Sequence, residues 1–172
     1  EGLGKIEGPR RRLADWAIGV GHESARFALT GGTPPLMLTL KRAIADRLVF
    51  AKIRERLGGR IRFLVSGSAP LSPKVGEFFF ALNLPILEGY GLTESSPGIS
   101  GNPIGAPRLG TVGKVLPGVE VRIGTDGEIL VRGPNVMQGY YRRPESTAET
   151  LAGGWLHTGD IGELSDEGYL TI

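Results

Sequence analysis

The spacing of apolar residues changes once along this chain, and that change limits what it can fold into. In KRAIADRLVFAKIRERLGG (41–59), Ile44 and Leu48 lie four apart, as do Val49, Ile53 and Leu57, so a helix here carries one broad apolar stripe. Gly58 and Gly59 supply its stop. From residue 119 the period is two: VEVRI (119–123), a GTDG turn and EILVR (128–132) spell a β-hairpin. A chain carrying both periods is an α/β protein, and the order of its other segments indicates how the two regimes are joined.

Residues 13–29 read as a helix broken near Gly19 and Gly21 and ended by TGGTPP (30–35). IRFLV (61–65), apolar and β-branched, reads as a buried strand running into SGSAPLSP. Ser72 and Pro73 read as N-cap and first helical position, which predicts a helix in KVGEFFFAL (74–82). Asn83 ends it, and LPIL (84–87) is a second strand leading into GYGLTE (89–94). Helix, strand, turn, helix, strand, turn is the order of a layer with a parallel sheet, where ligands gather at loops beyond the carboxyl ends of strands. Past a Gly- and Pro-rich crossing segment (98–114) and the hairpin, a short helix from Pro144 and strands in GWLHT, IGEL and YLTI continue in antiparallel fashion. The expected fold class is α/β: a parallel-sheet α/β portion over 1–105, then a mostly antiparallel β portion over 106–172.

Composition narrows the chemistry. The 172 residues are 40% hydrophobic and 22% charged and contain no cysteine, which excludes disulfides and thiolate catalysis. No apolar run approaches the roughly 20 residues of a membrane span, and the expected compartment is the cytoplasm. The net charge of +2 is unevenly spread: residues 1–62 hold thirteen Lys and Arg against six acids, among them Lys5, Arg42 and Arg54. Acids interrupt this cluster and no aromatics accompany it, so it reads as a solvated helix face with no nucleic-acid partner; contact of helix 41–62 with a membrane surface is the alternative. A chain that opens on Glu1 and stops within GYLTI is expected to be a piece of a longer one.

Two histidines, His22 and His157, stand far apart without Cys partners, which argues against zinc. His157 reads as a strand residue. In GYGLTE, Gly89 and Gly91 flank Tyr90, whose flat face suits a base, while Thr93 suits a phosphate oxygen and Glu94 suits Mg²⁺. SGSAPL (66–71) is a small-residue loop after a strand, and TGD (158–160) puts Asp160 just after another, where a carboxylate can accept from both ribose hydroxyls. Taken singly, each is also an ordinary turn.

In this order and at these intervals SGSAPL, EGYGLTE, GEILVRGPNVMQGYY and GWLHTGD resemble the adenylate-forming enzymes: acyl-CoA synthetases, luciferases and peptide-synthetase adenylation domains. The resemblance implies that Ser68, Ala69 and Pro70 line an adenine with Glu88, Gly89 and Tyr90 opposite, and that Gly91 and Leu92 lead into Thr93 at the α-phosphate. It implies Mg²⁺ on Glu94 and ribose on Asp160, with Thr93 and Glu94 as the catalytic pair. Gly127, Glu128, Gly133 and Gly139 match a mainly structural motif. Ser68 stands where glycine is common and Ser95 where a second Thr is common. Residues 40–172 look most like bacterial long-chain fatty acyl-CoA synthetases, which implies fatty acid, ATP and coenzyme A as substrates, and acyl-AMP as the intermediate. An adenylation domain loading a carrier protein and a non-catalytic nucleotide-binding module are the alternatives. The family's lysine-bearing phosphate loop, hinge and lid have no counterpart in these residues, so the isolated chain is expected to be inactive, its missing N- and C-terminal parts being partners of the site.

Overall fold

The structure, a computed structural model, describes residues 8–172, so Lys5 of the basic cluster lies outside the described residues. The described residues form two compact units, one made of the chain up to residue 64 with 71–86, the other of 65–70 and 87–172. The division differs from a boundary at 105, because the strands bearing SGS and EGY hydrogen-bond into the sheet of the second unit.

The first unit is helical. Helix α1 (Pro9–Thr30) runs unbroken through Gly19 and Gly21, against the expected break. The reason lies in packing: a Cβ at Gly21 would sit 2.7 Å from the Ala81 carbonyl oxygen and 3.1 Å from the Phe50 ring. Glycine here lets two helices approach, and Ala14, Ala17, Val20 and Ala25 continue the same small buried face. TGGTPP does end the helix, with Gly31 in the left-handed region (φ 68°) and its N–H bonded to the Phe27 carbonyl.

The predicted helix 41–59 is three pieces: α2 (Leu36–Ala45), a π-helical turn (Asp46–Phe50) and α3 (Ala51–Arg56). The π turn absorbs one extra residue, shifting the phase of everything beyond it by about 100°. Leu38, Ala45 and Phe50 are buried, with Val49 and Ile53 packed beside them, while Ile44, Leu48 and Leu57 of the expected stripe are exposed. The same shift brings Arg42 and Arg54, twelve apart and about 120° out of phase on an ideal helix, to within about 20°. Both then reach the last carbonyls of α4 (Pro73–Ala81): Arg42 bonds Ala81 O, and Arg54 bonds Leu82 O at 3.2 Å. Carbonyls at a helix C-terminus lack intrahelical donors and carry partial negative charge, so guanidinium groups satisfy both needs. Asp46 grips Arg54 through both oxygens (2.7 and 2.8 Å). These two arginines of the basic cluster are half-buried helix caps rather than part of a solvated face. α4 begins as predicted at Pro73, although Ser72 makes no side-chain bond to the helix.

The second unit holds most of a sheet ordered β1-β2-β3-β4-β9-β8 and a three-stranded sheet ordered β5-β6-β7. Its strands are β1 (Leu64–Ser66), β2 (Ile86–Tyr90), β3 (Ser100–Gly101), β4 (Gly113–Val115), β5 (Glu120–Ile123), β6 (Glu128–Arg132), β7 (Leu156–Ile161), β8 (Glu163–Leu164) and β9 (Tyr169–Thr171). The order β1, α4, β2 with β1 and β2 as neighbours is the crossover succession expected of an α/β layer. Pairing is antiparallel from β2 to β3, β4, β9 and β8, and throughout β5-β6-β7. The predicted hairpin is present with Val121 opposite Val131, and α5 (Pro144–Thr150) starts at the predicted proline. Ile99, Ile129, Val131, Leu156 and Leu170 form the core of this unit, each at most 1% exposed.

Candidate functional site

Every residue picked out from SGSAPL, EGYGLTE and TGD belongs to the second unit. The strand before GYGLTE is longer than predicted: β2 runs to Tyr90, so Glu88, Gly89 and Tyr90 are strand residues rather than a loop beyond it. Glu88 is buried and the Tyr90 side chain half-buried. The two glycines beside Tyr90 serve different purposes. A Cβ at Gly89 would make an ordinary 3.4 Å contact with the Ser100 carbonyl, whereas at Gly91 it would lie 1.4 Å from the Pro97 carbonyl oxygen. Only glycine fits at 91, because the chain folds back on itself there.

That fold-back is a 3-10 turn, Thr93–Ser95. Ser95 is fully buried, and its hydroxyl accepts from the Leu92 N–H (2.9 Å) and donates to the Leu92 carbonyl (2.9 Å). A hydroxyl is what the turn uses there, and serine supplies it without the methyl of threonine. Asn135 Nδ2 closes the turn from outside, donating to Ser95 O (3.0 Å) and Gly98 O (2.7 Å). Thr93 is left exposed at the tip. The Glu94 carboxylate accepts from the Tyr140 hydroxyl (2.7 Å). This bond raises the Tyr140 pKa, with a smaller contribution from burial, and keeps that hydroxyl a donor.

Ser68, Ala69 and Pro70 are exposed in the loop after β1. Ser68 has φ 67°, in the left-handed region, which explains physically why glycine suits this position. Gly67 faces Gly89 across the pair, its notional Cβ 3.3 Å from the Gly89 carbonyl oxygen.

TGD departs most from expectation. Asp160 lies within β7, not after it. Leu130 pairs with His157 and Glu128 with Ile161, so β7 spends three residues, Thr158 to Asp160, where β6 spends only Ile129. The excess bulges off the ladder, and bulges of this kind re-aim side chains. Thr158 Oγ1 donates to Ile129 O (2.7 Å) and accepts from the Asp160 N–H (3.1 Å). Glu128 accepts from the Gly159 N–H through Oε1 (2.8 Å) and meets His157 Nδ1 through Oε2 (2.8 Å). His157 is thus a strand residue, as predicted, and the carboxylate fixes its tautomer with the proton on Nδ1.

Asp160 Oδ2 accepts a 2.6 Å hydrogen bond from the Tyr90 hydroxyl, 70 residues earlier in the chain. Burial first, then this bond, push the Tyr90 pKa well above its ordinary value, so the phenol remains a donor at neutral pH. Two motifs from distant segments meet here through their functional groups. A family model for AMP-binding enzymes matches residues 22–141.

The chain belongs to the AMP-binding enzyme family. It is 47% identical over 141 residues to long-chain-fatty-acid–CoA ligase FadD15 of Mycobacterium bovis, covering 82% of this chain and 24% of that protein. It is similar to the solved structure of apo MatB from Rhodopseudomonas palustris, with a TM-score of 0.63 and 33% identity over 77% of this chain and 29% of that one. It is also similar to the anthranilate CoA ligase AuaEII in complex with anthranoyl-AMP, with a TM-score of 0.59 and 28% identity over 64% of this chain and 23% of that one. The chain spans about a quarter of the length of the curated relatives it matches. Among the described residues no helix is long and apolar enough to cross a membrane.

Sequence reasoning missed three residues of this site: Tyr140, Asn135 and Glu128 as the clamp on TGD. Tyr140 and Asn135 stand in GPNVMQGYY, a run already noted, and their spacing carries no sign of the turn they serve.

Proposed function

We propose that these residues are the adenine and ribose side of the site of a fatty acyl-CoA ligase. The observation that carries the reading is the Tyr90–Asp160 hydrogen bond, which joins the aromatic face and the carboxylate a nucleoside needs. In this reading Ser68, Ala69 and Pro70 line one side of the adenine and Glu88, Gly89 and Tyr90 the other, while Asp160 accepts from the ribose hydroxyls. The names of the relatives support the substrate class: FadD15 is a long-chain-fatty-acid–CoA ligase, and AuaEII holds an acyl-adenylate.

The chemistry solves one problem, that a carboxylate oxygen is a poor leaving group. The fatty acid carboxylate attacks the α-phosphorus of ATP, the bond to pyrophosphate breaks, and acyl-AMP forms. The sulfur of coenzyme A, giving up its proton, then attacks the acyl carbon and AMP leaves. Neither step requires covalent chemistry from the protein, whose task is positioning and stabilising charge on phosphate oxygens. Thr93, exposed at the tip of its turn, offers a hydroxyl to the α-phosphate. Among the described residues no cage of three or more His, Cys, Asp or Glu is gathered. Mg²⁺ does not need one, since it keeps several waters and takes one or two carboxylates beside substrate phosphates. Glu94 fits that donor set, with Oε1 steadied by Tyr140. The metal, when bound, supplies charge neutralisation at the phosphates.

The test is pyrophosphate exchange by the full-length protein. Long-chain fatty acids are expected to drive it and amino acids are not. Exchange driven by amino acids instead would give the adenylation-domain reading, and tight binding of an acyl-adenylate analogue with no exchange would give a non-catalytic nucleotide-binding module.

A further inference from the structure

We infer that Glu128 is a positioning residue: it holds the three-residue bulge of β7 that presents Asp160, and so sets how strongly the protein selects for ribose. The inference rests on the ribose reading of Asp160 and extends it to a residue that touches no substrate.

The geometry is specific. Between Leu130–His157 and Glu128–Ile161 the ladder loses its regular pairing, and the N–H groups of the bulge no longer face strand carbonyls. In the bulge, side chains take the place of ladder partners: Thr158 Oγ1 accepts from the Asp160 N–H and Glu128 from the Gly159 N–H. Glu128 holds the bulge through Oε1 at the Gly159 N–H, and its Oε2 is itself anchored by His157 Nδ1, each at 2.8 Å. Its side chain is only 17% exposed, which strengthens these charge-assisted bonds. Gly159 sits at φ 75°, a conformation that a glycine takes freely, and it immediately precedes Asp160. Pinning its N–H therefore fixes the direction in which the Asp160 side chain leaves the strand. Tyr90 holds the far end of that side chain and Glu128 holds its root.

Without the carboxylate, the bulge keeps the Thr158 bonds and the Tyr90 bond to Asp160, but the Gly159 N–H loses the partner that fixes it. Asp160 then loses its alignment, although the residue itself is unchanged. A misplacement of about 1 Å at a positioning contact costs on the order of 100-fold.

The experiment compares ATP with 2′-deoxy-ATP in the full-length protein, reading kcat/KM for each and the KM for fatty acid. Wild type is expected to prefer ATP, and Asp160→Ala to lose most of that preference. Glu128→Ala and Glu128→Met, the second filling the same volume without a carboxylate, are expected to lose it by about tenfold or more. Their KM for fatty acid should be unchanged. Glu128→Gln is expected to retain the preference, its carbonyl accepting from Gly159 and its amide donating to His157 in the other tautomer. If the Glu128 variants lower kcat/KM equally for both nucleotides while Asp160→Ala loses the preference, the positioning role is wrong and the ribose reading stands. If Asp160→Ala keeps the preference, the ribose reading fails and the inference fails with it.

Discussion

The helical unit and the β unit use the same residue types for different ends. In the first, Gly21 removes a side chain so that α1 and α4 can touch, and Arg42 and Arg54 spend their charge on helix carbonyls. In the second, Gly91 lets the chain double back at Thr93, and Gly159 lets a bulge form at Asp160. In the helical unit Asp46 meets Arg54, and Arg42 and Arg54 meet the end of α4. The β unit leaves Thr93 exposed and points Asp160 and Glu94 at hydroxyls a ligand can replace or join. The candidate site residues lie where regular strand pairing gives way.

The contrast can be broken most severely at Gly91. In Gly91→Ala the new Cβ would sit 1.4 Å from a backbone carbonyl that cannot rotate away, so the turn from Leu92 to Ser95 must move. Pyrophosphate exchange by the full-length protein is expected to fall by about 100-fold or more. Gly89→Ala makes only an ordinary 3.4 Å contact and is expected to melt within a few degrees of wild type. Equal damage from the two would mean that the fold-back does not matter. In the helical unit, Gly21→Ala brings a Cβ within 2.7 Å of Ala81 O and is expected to cost about 1–3 kcal/mol. That loss should appear in denaturant melts while exchange per folded molecule is retained; a loss of turnover without a loss of stability would erase the distinction between the units.

What could be read in advance follows the same division. The hairpin at 119–132, the start of α5 at Pro144 and the stop after Thr30 are each written in local turn and cap chemistry, and each is present. The π turn at Asp46–Phe50 and the bulge at Thr158–Asp160 are not, because both exist to satisfy groups far away in sequence: the carbonyls of Ala81 and Leu82 in one case, the carboxylate of Glu128 in the other. The pattern 44, 48 misled because a helix of uniform pitch was assumed, and the π turn moved Phe50 inward in their place. Gly21 misled in a related way, since glycine that breaks a helix and glycine that admits a neighbouring helix look the same in one dimension. For the candidate site, the motifs singled out Tyr90, Glu94 and Asp160, and the structure brings Tyr90 and Asp160 together. The partners that hold two of these side chains, Tyr140 on Glu94 and Glu128 at the root of Asp160, needed three dimensions.

The smallest expected effect tests whether the helical unit's charges are purely structural. Asp46 is held below its ordinary carboxylate pKa, chiefly by its hydrogen bonds to Arg54 and also by the charges of Arg54 and Arg42, against an opposing effect of burial. A folded pKa below the unfolded value of 3.8 means that the stabilisation is complete above about pH 4 and disappears as pH falls through the lower folded value. The pair is partly exposed, its side chains 21% and 33% accessible, so screening by water limits its worth to about 1 kcal/mol. Asp46→Asn should therefore be less stable than wild type by about that amount at pH 6, and the gap should narrow as pH falls below 3.8 and close once it passes below the lowered folded value. Denaturant midpoints of the two proteins across this range decide it. A gap that does not change as pH falls below 3.8 would mean that Asp46 acts through its shape and neutral hydrogen bonds, and that Arg54 can cap α4 without an ionised partner.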